Sequence, residues 1–166
     1  IVRQFATVAN PAVAERQFRA LDLEDYRAFR MFVIDRTGQN RLCVWDGHAP
    51  RVERNVITPK SSSSVDAQHV KMVRKSLFED LDLVQSRDAK QYLDYHASHA
   101  PKKSQESVCM HREDAKTVSL SHVRVSQKQV EFSYADGSPC EAPLEPPVSL
   151  PLSPGVAMEE ASAINF

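Results

Sequence analysis

The chemistry-bearing residues of this chain are few: three cysteines and six histidines in 166 positions. Cys109-Met110-His111 sets a thiol and an imidazole two residues apart, so in an extended segment both lie on one face. With His122 or Cys140 they could coordinate zinc or another soft metal. That spacing matches no established finger or ribbon, so the expectation is that no metal and no cofactor are bound. His96 and His99 stand three apart near a predicted helix end and could also pinch an ion. Histidines there more often bond last-turn carbonyls or water, and that is the reading adopted.

Nucleophilic catalysis needs a base beside a thiol or hydroxyl. Cys109 with His111 or His122, and Ser119 or Ser121 with His122, are the pairs to consider. Neighbouring strand residues point to opposite faces, however, and no nucleophile elbow is present. The chain has only four glycines and neither a GxGxxG nor a GxxxxGK[ST] segment, which argues against the standard nucleotide loops. Cys43, between Leu42 and Val44, reads as a small buried apolar side chain. An odd number of widely spaced cysteines does not make a disulfide framework, so a reducing, cytoplasmic setting is expected.

These residues must be held by a mixed set of elements. Asn10-Pro11 is an N-cap followed by a first helical proline, and the apolar spacing of Val13, Ala14, Gln17, Phe18 and Leu21 predicts a helix from Pro11 to Ala20. Phe29 to Ile34 and Arg41 to Trp45 flank the turn Thr37-Gly38-Gln39-Asn40 as a hairpin, with a third strand from Arg51 to Ile57. Asp66 caps a helix whose Val70, Val73, Leu77, Phe78 and Leu81 share a face; its Lys71, Arg74 and Lys75 read as a solvated face. A shorter helix spans Asp88 to Ala97. Three strand candidates follow, at Ser107 to Met110, Thr117 to Val125 and Gln129 to Tyr134, and the middle one changes its apolar face partway, which suggests a bulge or burial on both sides. The order predicts an α+β fold of antiparallel sheets flanked by helices.

Composition excludes several classes. The chain is 18.7 kDa, 42% hydrophobic and 26% charged, with a mean hydropathy of -0.43 and a net charge of -1. No window offers the roughly 18 uncharged apolar residues of a membrane span, and the balance leaves no electrostatic footprint for nucleic acid. The charge is unevenly spread, since residues 139–166 hold four acids and no Lys or Arg, together with six of the ten prolines. Cys140 to Pro154 is therefore expected to be an extended polyproline-like arm that wraps the body or hangs free or disordered, set apart from a domain over residues 1–138. Position 1 is Ile in place of Met, and the expectation is that further sequence precedes it.

Leu21 to Phe29, the strand ending Ile34-Asp35 and Cys43-Val44-Trp45-Asp46-Gly47 together resemble the middle of the NRDE family, which includes transport and Golgi organisation protein 2. The likeness continues at Ile57 to Asp66, at Ser107 to Ser119 and at Tyr134 to Cys140, covering most of residues 1–140. It implies an N-terminal-nucleophile-like αββα sandwich, of which this chain supplies the later half. Family members typically start Met-Cys-Thr with an Asn-Arg-Asp-Glu motif soon after; neither stands in this sequence, so no nucleophile carries over. What the resemblance leaves for this chain is scaffold and pocket wall, with Cys109, His111, Arg112, Thr117 and Ser119 as its site candidates.

Three functions follow as expectations. The first is a cysteine N-terminal-nucleophile hydrolase of linear amides, with the nucleophile outside this chain. A second is a non-enzymatic carrier of haem or another hydrophobic ligand, contacted by Cys109, Met110 and His111. The third is a protein-interaction module using the proline-rich arm. A partial two-sheet fold also predicts exposed sheet edges, filled by an oligomer or a missing N-terminal segment.

Overall fold

The computed structural model describes residues 1–86 and 88–152. It is an α+β fold with two three-stranded antiparallel sheets. A short α1 (Val2–Phe5) leads to α2 (Pro11–Arg19). The predicted cap is present: Asn10 is extended, and its Oδ1 accepts from the Ala12 and Val13 N–H groups at 3.0 Å each.

The first sheet has the order β1 (Phe29–Ile34), β2 (Asn40–Trp45), β3 (Pro50–Arg54). Alternation along β1 and β2 turns Met31, Cys43 and Trp45 toward α2, where they pack with Phe5, Ala14, Phe18 and Leu23. Cys43 is fully buried there, as its apolar neighbours predict. β3 stops three residues short of the predicted Ile57. Asn55 adopts a positive φ of 52°, and the Asn40 side chain takes over the role of a strand partner, accepting from Val56 N–H at 2.7 Å.

One buried carboxylate ties these elements together. Glu15 of α2 meets Arg19 at 3.2 Å, Arg41 of β2 at 3.0 Å and Arg54 at the end of β3 at 2.8 Å, with only 8% of its side chain exposed. The guanidinium of Arg54 is the largest influence holding its carboxyl down, from 4.5 to about 2; partial burial opposes this, and Arg19 and Arg41 add to it.

Helices α3 (Ala67–Asp80) and α4 (Ala89–Ala97) follow; Asp66 caps the first as predicted, and Asp88, accepting from Lys90 N–H, caps the second. They share a second, smaller core of Phe78, Leu83 and Tyr95, in which the Phe78 and Tyr95 rings meet edge to face at 5.5 Å. The second sheet has the order β4 (Ser119–Val125), β5 (Gln129–Asp136), β6 (Val148–Pro151). Its register runs unbroken from Ser119↔Asp136 to Val125↔Val130, so the change of apolar face in β4 reflects two partly exposed faces and not a bulge. Val123, Phe132 and Val148 form one exposed cross-strand row.

One expectation changes. Ser107 to Met110 is no strand: Cys109 N–H donates to Ser98 O at 3.0 Å, and Ser107 Oγ lies 2.7 Å from both Ser104 O and Cys109 O. The backbone groups of this segment are met locally, so no strand neighbour is needed. Of the two dispositions expected for the proline-rich arm, its described part takes the one that wraps the body. It turns at Ser138 to Ala142 and returns as β6 on the edge of the second sheet. An edge position tolerates Pro151, because a proline needs no donor on the solvent side. Residues 153–166 of the arm lie outside the described residues.

Glu15→Gln is expected to destabilise the chain by roughly 2–3 kcal/mol in urea unfolding at neutral pH, because three guanidinium groups lose their shared carboxylate. Glu15 titrates lower in the folded than in the unfolded state, so its contribution is present above about pH 4.5 and is lost as pH falls toward 2. A stability profile of Glu15→Gln that kept the wild-type decline over this window would contradict the assignment.

Candidate metal centre

Four soft donors converge where the helical layer meets the second sheet. His99 follows the end of α4, just before the cis Ala100-Pro101 bond. Cys109 ends the bonded segment described above, and His111 opens a tight turn bridged by His111↔Lys116. Cys140 sits in the turn after β5. The donor atoms of these four side chains all lie within 4.8 Å of one another. Cys109 Sγ is 3.5 Å and Cys140 Sγ 3.4 Å from His111 Nε2, and the His99 and His111 rings meet at 5.1 Å.

Thr117 holds much of this arrangement. Its N–H donates to Met110 O at 2.8 Å, its Oγ1 accepts from Met110 N–H at 2.9 Å, and its carbonyl accepts from Ser138 Oγ at 2.6 Å. Thr117 thus fixes the residue between Cys109 and His111 through its side chain and anchors the turn carrying Cys140 through its backbone carbonyl. Gly137 opens that turn at φ 150°, where an added Cβ would come within 2.8 Å of the Ala142 Cβ. The Glu141 and Ala142 N–H groups close it on Ser138 O.

The electrostatics separate donor capacity from nucleophilic reactivity. Cys109 is fully buried, and burial, followed by the neighbouring Cys140 thiol, pushes its own thiol up to about 11. A thiol so raised is a poor free nucleophile, whereas a bound cation would favour its thiolate. Burial first, then Lys103 and His99, hold His111 below the ordinary imidazole value, which keeps it neutral and able to donate its lone pair. His99 Nε2 is buried and has no hydrogen-bond partner.

Tetrahedral zinc geometry puts sulfur about 2.3 Å and nitrogen about 2.1 Å from the ion, which separates S and N ligands by about 3.5 Å. The two Sγ···Nε2 distances agree with that separation. Four protein donors would close the coordination shell, leaving no position for a substrate or water.

Of the residues singled out from sequence, Cys109 and His111 meet here and Thr117 positions them. Arg112 turns to Asp114, with Nε 2.7 Å from Oδ1, and Ser119 opens β4 opposite Asp136. Cys140 completes the set, while His122 and His96 do not join it. In sequence His99 stands three residues from His96, and no spacing reveals its partnership with Cys109, His111 and Cys140. Comparison with family models, curated proteins and solved structures finds no match to this chain.

Thr117→Val should cost roughly 1–2 kcal/mol in chemical denaturation, because the Met110 N–H loses its buried acceptor. Thr117→Ser, which keeps the oxygen, should recover most of that loss; equal destabilisation by both would remove the positioning role.

Proposed function

We propose that this chain is a zinc-stapled structural domain in which His99, Cys109, His111 and Cys140 hold one Zn²⁺. The convergence of two thiols and two imidazoles within 4.8 Å carries the reading. A bare thiol–imidazole hydrogen-bond cluster would account for the His111 contacts, but it leaves His99 Nε2 buried and unsatisfied. An ion gives that nitrogen a partner. The closed four-donor shell favours a structural over a catalytic role.

The NRDE-like amide hydrolase remains part of this proposal at the level of the parent protein, with the αββα sandwich as its architecture. Two antiparallel sheets accompanied by helices support it, and within this chain the centre would brace the scaffold. Cys109 is not offered as the amide-cleaving nucleophile, given its burial and raised thiol. The haem-carrier alternative is less well supported, because donors this close together leave no room among them for a macrocycle.

The purified full chain should contain one zinc per molecule, and cobalt substitution should give the thiolate charge-transfer and d–d bands of a tetrahedral site. Cys140→Ser and His99→Ala should each weaken metal binding about 100-fold or more, and His122→Ala should leave it unchanged. A chain that takes up no zinc or cobalt from micromolar solution, or variants with unaltered cobalt spectra, would overturn the proposal.

A further inference from the structure

A second site lies on the face of the first sheet opposite Met31 and Cys43, and is lined also by α3 and by Arg19 at the end of α2. This face of the sheet is set by register: Arg30, Val44 and Arg51 form one cross-strand row, followed by Phe32, Leu42 and Glu53. The facing wall is α3, which presents Lys71 and Lys75 one turn apart, and Lys60 closes the end from the loop after β3. The resulting cleft is about 760 Å³, a volume suited to a small organic ligand.

Its charge is one-sided. Arg19, Arg30, Arg51, Lys60, Lys71 and Lys75 line it against one acid, Glu53, which Lys60 already pairs. Arg19, Arg51 and Lys75 are held by Glu15 at 3.2 Å, Asp46 at 3.2 Å and Glu79 at 3.0 Å, acids that are not part of the lining. Among the described residues Arg30 and Lys71 form no ion pair, and Arg30 has only a 3.5 Å bond to Ser61 O. The cations come from sheet, loop and helix, so they converge on a shared space instead of spreading along one solvated helix face. Concave walls of one sign concentrate field lines and favour a counter-ion of high charge density. Beneath the charges, Leu42 and Val44 make an apolar floor.

We propose that this cleft binds a phosphate monoester or diphosphate of a small organic molecule. Arg30 supplies the planar fork that matches two phosphate oxygens, and Lys71 the mobile point charge across from it. The proposal is independent of the zinc reading, since no residue of the metal cluster lines this cleft.

The test is titration of the full chain with pyrophosphate, followed by calorimetry and by amide chemical shifts at low and at physiological ionic strength. Saturable binding with shifts confined to β1, the 58–61 loop and α3 is the expected result. Arg30→Gln and Lys71→Gln should each weaken binding about tenfold, the loss of one charge-assisted contact. Lys128→Gln, which removes an equal charge from the β4–β5 turn, should leave it unchanged. Absence of saturable binding at millimolar pyrophosphate overturns the proposal, as does an equal loss in all three variants, which would mark unspecific attraction. Should Arg30→Gln fail to fold, Lys71→Gln decides alone, since Lys71 is an exposed residue of α3.

Discussion

Both sulfurs of the second half converge on one imidazole nitrogen, His111 Nε2, and much of what surrounds it is shaped by that convergence. The chain from Ser98 to Thr117 contains no regular strand or helix, yet it is ordered by side chains that bond backbone. Ser107, Thr117 and Ser138 each satisfy groups that a sheet would otherwise serve. Such a segment has little apolar area with which to offset its loss of conformational freedom. Four soft donors at one point provide a different source of order, and they tie the end of α4 to both turns beside β4 and β5.

The first half is organised around charge as well, but by a different device. Glu15 reaches two strands from one helix because three arginines surround it, while the apolar packing of Phe18, Met31, Cys43 and Trp45 lies alongside. Three-stranded sheets are near the lower limit for independent stability. Each sheet therefore relies on a cross-element polar anchor: a carboxylate among guanidiniums in one case, a thiol–imidazole cluster in the other. The two halves also touch directly, through the Gln127 side-chain amide donating to Arg36 O at 2.9 Å.

Elements whose causes are local were legible in the sequence. Asn10-Pro11 and Asp66 cap their helices as predicted, and Asp88 caps α4 at its expected start, because a cap joins atoms only two or three residues apart. The hairpin around Gly38 is equally local. Ser107 to Met110 was misread as a strand because its apolar and small residues resemble one, while the hydroxyl bonds that replace a neighbouring strand leave no periodic trace. The arm beyond Pro139 was read from its prolines, and those prolines are compatible with an edge strand that composition alone does not distinguish from a free extended chain.

The sequence by itself determined the helix starts, the first hairpin, the α+β class and the identity of the reactive side chains. Spacing also singled out Cys109 and His111, and the family resemblance added Arg112, Thr117 and Ser119. Only the tertiary structure decided that His99 and Cys140 join the pair, and that Arg30 and Lys71 line one cleft. Those partners are separated by ten residues or more, and no local period encodes a distance between elements. Where such groups meet depends on how two small sheets and two helices bury their apolar faces together, a property of the whole packing and not of any segment.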